Sequence, residues 1–303
     1  MIQRRCIFRE LRLRPSKAVD QLVLYLLAVA SDKFSFAIHA FVFMSNHYHL
    51  IATDTQGNLP DFAHWFNGLV ARALNCFYGR WESFWAPGSY SAVELVEPDD
   101  NLEHCAYILA NPTEAELVPF GAMWPGAISH PNDWRGDANG SLVAVIERPK
   151  WFFSDRSELP ERAELRITCP PALAGLPREK VISNLIARRK EKETAAANRM
   201  HAEGRRFLGV KRVLAQSPFS RPSSREPRRN LSPVIASRCR WRRIEELQCL
   251  KSFRLRYRDA FERFRGGERT VLFPYGTWGP ARLYGAEVER YPGPEETGPP
   301  IAA

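Results

Sequence analysis

FVFMSNHYHLIATD, residues 41–54, sets two apolar runs on either side of Ser45 and Asn46. Serine and asparagine hydrogen-bond their own backbone and favour turns, so the runs Ala37 to Met44 and His49 to Thr53 read as the two strands of a hairpin. A strand alternates its side chains with a period of two. His47 and His49 then share one sheet face, and Tyr48 points to the other. Two imidazoles on one face can share a divalent metal, given a third ligand from elsewhere; two polar histidines satisfied by their neighbours fit the same pattern.

Outward from the hairpin, strands and helices alternate. Arg4 to Arg9 is a strand candidate that starts so close to Met1 that it reads as clipped. Pro15 and Ser16 open a helix whose residues Val19, Leu22, Val23, Leu26, Leu27 and Ala30 follow the spacing of a buried face, ending near Asp32. A second helix runs from Leu59 to Cys76 on the same periodicity, with Gly79 placed to cap it. A strand at Tyr90 to Val96 follows. Pro98, Asp99 and Asp100 then start a short helix that should end at Asn111, because Pro112 cannot continue it. The order strand, helix, strand, strand, helix, strand, helix predicts an α+β fold, a ferredoxin-like split βαβ unit with an antiparallel sheet, one face covered by helices and the other free. This unit occupies residues 1–120. A Pro- and Trp-rich connecting region, 121–177, holds short strands at Leu142 to Ile146 and Leu165 to Thr168. A basic, mainly helical region, 178–290, has helices at Lys180 to His201 and Cys239 to Phe264 with a Pro/Ser-rich loop between them. Residues 291–303 read as a disordered tail.

The net charge of +9 is unevenly spread. From Arg178 to Arg258, 23 Lys and Arg stand against 7 Glu and no Asp, a surplus of 16, which leaves the rest of the chain at −7. A basic block on an acidic body is the footprint of a polyanion, most often nucleic acid, although a solvated helix surface has the same composition. Its clusters RRFLGVKR and REPRRN nominate Arg205, Arg206, Lys211, Arg212, Arg228 and Arg229 as phosphate contacts. The six cysteines form no C-x-x-C pair and no disulfide-framework spacing, which fits a reducing compartment. No leader pattern opens the chain, and the longest apolar run, Leu22 to Ala30, is short of the roughly 18 residues that span a bilayer. A cytoplasmic, nucleoid-associated location without membrane contact is therefore expected.

A second constellation lies in NLEHCAYILANP, residues 101–112. On a helix, Tyr107 and Asn111 are one turn apart on one face. Asparagine offers a carbonyl oxygen to a hard metal and tyrosine an oxygen that can attack phosphorus. The plainer reading makes Tyr107 a core aromatic and Asn111 the residue that ends the helix.

Taken together, SNHYH (45–49) and YILANPTEAELV (107–118), in this order of elements and with RWESFWAPGSYSAVELV (80–96) ahead of the helix, resemble the HUH single-strand transposases, in particular the REP-associated tyrosine transposases. The resemblance covers about residues 3–120. It implies that His47, His49 and Asn111 hold Mg²⁺ or Mn²⁺, and that Tyr107 attacks a phosphate of single-stranded or hairpin DNA to give a 5′-phosphotyrosine link and a free 3′-OH. A homodimer is one expected assembly. The departures from the family pattern are Ser45 in place of a proline, the short first strand, and Glu116 in place of a glycine. Tyr90, on a strand beside Ser91, is the rival nucleophile. A competing expectation is a domesticated DNA- or RNA-binding protein that keeps the sheet as a platform without catalysis.

Overall fold

The computed structural model describes residues 1–88, 90–136, 141–152, 159–223 and 233–290. Among these, the chain runs β1 (Ile2–Arg5), α1 (Lys17–Lys33), β2 (Phe36–Met44), β3 (His47–Asp54), α2 (Leu59–Phe77), β4 (Ser91–Ala92), β5 (Glu94–Leu95), α3 (Pro98–Glu114), β6 (Ser141–Glu147), β7 (Arg162–Thr168), α4 (Arg178–Ala202), α5 (Val210–Ala215), β8 (Ile235–Ala236), α6 (Arg240–Arg265) and α7 (Gly279–Tyr284). The protein is α+β.

The hairpin forms where Ser45 and Asn46 turn the chain, with Met44 opposite His47 and Val42 opposite His49. His39 is an extra residue in β2, because the register shifts between Ile38 and Ala40. Such a bulge bends the strand locally. The main sheet has the order β4-β1-β3-β2-β7-β6. Its pairs are antiparallel except for β2 and β7, which are parallel, so the expected purely antiparallel sheet is corrected to a mixed one.

Helix α1 is launched by Ser16, whose side chain accepts a hydrogen bond from the Val19 N–H. A cap of this kind stabilises a helix by about 1 kcal/mol. Leu22, Val23, Leu26 and Leu27 are fully buried, each contributing roughly 1.5–3 kcal/mol of apolar burial. Tyr48 points the other way from the histidines: its hydroxyl donates to Asn67 Oδ1 of α2 at 3.0 Å and its ring meets Phe66 edge-on. Helices α1 and α2 pack on each other, and α3 packs on β2 and β3 and, on its outer side, on α4. The face expected to be open is therefore covered.

Several expectations change with these contacts. The first strand is Ile2–Arg5 and not 4–9; Phe8 and Arg9 adopt left-handed backbone angles in a tight turn. The strand expected at 90–96 splits at Val93: the Val93 N–H donates to Met1 O while the next N–H, of Glu94, donates to Val234 O. β4 thus joins the main sheet and β5 pairs with β8 in a separate ribbon. Helix α3 does not stop at Asn111. Pro112 lies inside it, and the helix closes two residues later, with Pro112 O accepting from the N–H groups of Leu117 and Val118. Residues 121–177 do more than connect. β6 and β7 extend the sheet, and the indoles of Trp124 and Trp134 donate to Phe43 O and His39 O of β2 at 3.0 and 2.9 Å. One core runs from Ile2 to Val213 across the expected boundary at 120. A smaller core, Ala260, Phe264, Val271, Phe273 and Ala286, closes the C-terminal end. The Pro/Ser-rich loop holds the short helix α5. Residues 291–303, read as a tail, lie outside the described residues.

Candidate active site

The site is built where α3 crosses the histidine face of the hairpin. Glu97 caps α3 with a reciprocal capping box to Asp100, and Asp99 and Asp100 occupy its first turn, where carboxylates favour the positive end of the helix dipole. The helix therefore starts at a defined residue, which fixes which side chains reach the sheet. Tyr107 meets His49 edge-to-face, ring centroids 5.5 Å apart at 80°. His49 in turn meets His47 at 4.9 Å and 89°. Three rings from two elements thus form one contiguous row.

Both imidazoles are held neutral. Burial drives the pKa of His47 down to about 4, with Arg5 and Arg9 adding to the shift. Burial and then His47 itself take His49 down to about 3. Arg5 stands directly opposite His47 in the β1–β3 register. Neutral imidazole is the form that donates a lone pair to a metal. His47 Nδ1 is engaged by Asn46 Oδ1 at 2.7 Å. His49 is 4% exposed and Asn111 6%, and neither His49 Nδ1 nor Asn111 Oδ1 has a hydrogen-bond partner. Leaving a buried acceptor unpaired costs roughly 1–3 kcal/mol, and Asn111 carries one such atom one turn along α3 from Tyr107, the residue that meets His49. Among the described residues no group of three or more His, Cys, Asp or Glu gathers where it could hold a metal. Two imidazoles with an amide oxygen such as that of Asn111 are a donor set that a divalent ion accepts.

Tyr107 is half-buried. Burial raises its phenol pKa and Glu114 raises it further, while a hydrogen bond with Asn111 opposes the rise. Glu114 follows Asn111 by three residues on α3. Its carboxyl is raised by burial, against the pull of Lys192 and Arg199. The rival Tyr90 is raised by burial and by Asp54, and it is Tyr107 that makes the ring contact with His49.

Beside His47 a cleft of about 490 Å³ opens, lined by Arg9, His47, Glu114, Glu116, Arg205 and Arg221 among others. Sequence reasoning passed over Arg9, Glu114 and Arg221 as site residues. Arg9 lay in an expected strand, and only the tertiary fold brings residue 221 to residue 47. Glu116 has φ of +63°, a left-handed conformation suited to glycine. It ends α3 there and pairs with Arg205. A glutamate here forgoes the backbone freedom of glycine and makes an ion pair with Arg205 at the cleft.

The nominated phosphate contacts separate into three groups. Arg205 is engaged by Glu116 and Glu203. Arg206, Lys211 and Arg212 are exposed and make no side-chain hydrogen bond or ion pair among the described residues. Arg228 and Arg229 lie outside the described residues. Much of the basic block is used internally: Arg188, Lys192 and Arg238 pair with Asp99 or Glu103 of α3. All six cysteines are free thiols, and no helix of the described residues is long and apolar enough to cross a membrane.

Comparisons of this chain with protein-family models, with curated proteins and with solved structures find no match.

Proposed function

We propose that this protein is a metal-dependent single-strand DNA endonuclease and strand transferase of the HUH type, acting through Tyr107. The observation that carries the reading is the row His47–His49–Tyr107, with the unpaired oxygen of Asn111 one helical turn along α3 from Tyr107. The order β4-β1-β3-β2, antiparallel throughout, is that of a ferredoxin-like split βαβ unit and supports the same assignment.

In this reading His47, His49 and Asn111 hold Mg²⁺ or Mn²⁺. Two nitrogen donors make the set softer than an all-oxygen site and favour Mn²⁺. When bound, the ion polarises a phosphate oxygen and so makes phosphorus a better electrophile. Tyr107 Oη forms a bond to phosphorus, and the bond from phosphorus to the 3′ oxygen breaks. The phenolic proton leaves to solvent, and the departing 3′ alkoxide takes a proton to become the free 3′-OH. The 5′ phosphate stays on Tyr107 until a 3′-OH returns to displace the tyrosine, which rejoins a strand. A phenol raised by burial is a poor nucleophile at neutral pH, so the protein's work is orientation: Asn111 and the edge of His49 fix the Tyr107 ring. Arg9 and Arg221 line the cleft, Arg221 paired with Glu10, and would supply positive charge to neighbouring phosphates.

The same raised phenol and the half-burial of Tyr107 favour one second reading, a domesticated DNA- or RNA-binding protein that retains the site without turnover. Covalent capture of a single-stranded oligonucleotide separates the two. An adduct that survives denaturation supports the enzyme, and its absence under saturating DNA and Mn²⁺ supports the binder. Cleavage at hairpin-forming repeats, homodimerisation and a nucleoid location belong to the proposal.

A further inference from the structure

Helix α6 separates its cations into two populations. Arg242, Arg256 and Arg263 are paired, with Glu97 and Glu245, with Glu289, and with Asp259 and Glu268 respectively. Arg240, Arg243, Lys251, Arg254, Arg258 and Arg265 are exposed and make no side-chain hydrogen bond or ion pair among the described residues. At about 100° per residue the six unpaired cations fall within an arc of roughly 80°, and the three paired ones lie on the other side of the helix. The only other residues in that arc are Leu247 and Phe261. None of the helix's acids, Glu245, Glu246, Asp259 and Glu262, falls inside it. A cationic stripe about 37 Å long, free of acidic residues, is left facing solvent. Like charges so placed repel, a cost that a polyanion would remove.

The spacing along the stripe selects the polyanion. The cations form three groups, Arg240 with Arg243, Lys251 with Arg254 and Arg258, and Arg265, whose centres are about 19 and about 16 Å apart at 1.5 Å per residue. On one side of a nucleic-acid duplex the two backbones cross on average twice per turn of about 34 Å, or about every 17 Å. A straight rod with charges at that interval meets successive backbones; a flexible single strand sets no such requirement. Exposed Leu247 lies in the arc and exposed Leu255 and Trp241 beside it, so an anionic vesicle is one of the competitors in the test below.

We propose that the solvent face of α6 docks the phosphate backbones of a DNA duplex, holding the paired stem of the substrate while the cleft at His47 takes the unpaired strand. The choice of DNA rests on the function proposed above; the stripe and its spacing do not. Binding is therefore measured without metal and in a Tyr107→Phe background, so that a failed catalytic reading leaves the result intact. The full chain carrying Arg243→Glu, Lys251→Glu and Arg254→Glu is titrated with a short fluorescent DNA duplex across a salt series. A control of equal charge change carries Arg135→Glu, Arg162→Glu and Arg166→Glu, and both are checked for a cooperative melt. Each lost phosphate contact lowers the log–log salt slope by about 0.9, so the stripe variant should lose roughly 2–3 units of slope and on the order of 100-fold in affinity at 0.1 M salt, with the control near the parent. An unchanged slope in a folded stripe variant overturns the proposal, as does an equal loss in the control. If a single strand, an RNA duplex or an anionic vesicle competes as well as the DNA duplex, the assignment of the partner is wrong.

Discussion

His49 of β3 and Tyr107 of α3 stand edge-to-face with ring centroids 5.5 Å apart, and through this contact the catalytic candidate on the helix is positioned by the hairpin. Replacing His49 by Ala should remove the ring that meets Tyr107 and, in the proposed function, a metal donor. The expected result is a loss of cleavage of 100-fold or more, about the 3 kcal/mol of a lost orienting and metal contact, with DNA affinity within a few-fold of the parent because phosphate contacts dominate it. Gel-based cleavage and anisotropy on the same preparation check this. A proportional fall in both would mean that His49 only supports the fold.

Asn111 carries a buried oxygen without a hydrogen-bond partner. Asn111→Ala removes that unsatisfied group, so the metal-free protein should melt within about 1 kcal/mol of the parent or slightly above it. The parent should be stabilised by Mn²⁺, because an ion that binds only the folded state raises the melting temperature. The variant should lose most of that increment. Equal Mn²⁺-dependent shifts in the two proteins would remove Asn111 from the ligand set.

Glu116 combines a left-handed backbone, φ +63°, with an ion pair to Arg205. A non-glycine residue in that region costs on the order of 1 kcal/mol, and an exposed ion pair returns between 0 and 1. Glu116→Gly should therefore stabilise the protein slightly, by about 0.5 kcal/mol, whereas Glu116→Ala, which keeps the strain and loses the pair, should not. Chemical denaturation of the two variants decides the order. A destabilised glycine variant would show that the ion pair outweighs the strain.

His39 is buried, its ring nitrogens bonded to Thr168 O at 2.9 Å and Thr53 Oγ1 at 2.8 Å, and burial lowers its pKa to about 4. The unfolded chain, with a histidine near 6.5, binds a proton that the folded chain refuses. This contribution is fully present above about pH 6.5 and is lost as pH falls towards about 4, on the order of 3 kcal/mol in all. In His39→Gln, which cannot titrate, stability should fall less over that window. Parallel stability curves for the two proteins between pH 7 and 4 would contradict the assignment.

Much of this architecture is written locally. Ser45 and Asn46 mark the hairpin, Ser16 caps α1, and the two-residue and four-residue spacings of His47/His49 and Tyr107/Asn111 put each pair on one face before any contact is known. What stayed hidden depends on partners distant in sequence. Nothing near Ile38 announces that it will pair with Ile167. Nothing near Val93 shows that consecutive N–H groups bond to Met1 and Val234 on opposite sides. Local rules disfavour proline inside a helix and make Pro112 a stop, yet its carbonyl and the turn at Glu116 close the helix beyond it. The basic block was legible as charge. Which arginines are spent on Asp99 and Glu103 and which face solvent on α6 follows only from packing.

Covalent capture tests Tyr107 as the nucleophile. Purified protein is mixed with a labelled single-stranded oligonucleotide and Mn²⁺, denatured in SDS and resolved on a gel, alongside Tyr107→Phe, Tyr90→Phe and an EDTA-treated sample. A labelled protein band is expected in the parent and in Tyr90→Phe, and no band in Tyr107→Phe or with EDTA. An adduct that persists in Tyr107→Phe and disappears in Tyr90→Phe would contradict it.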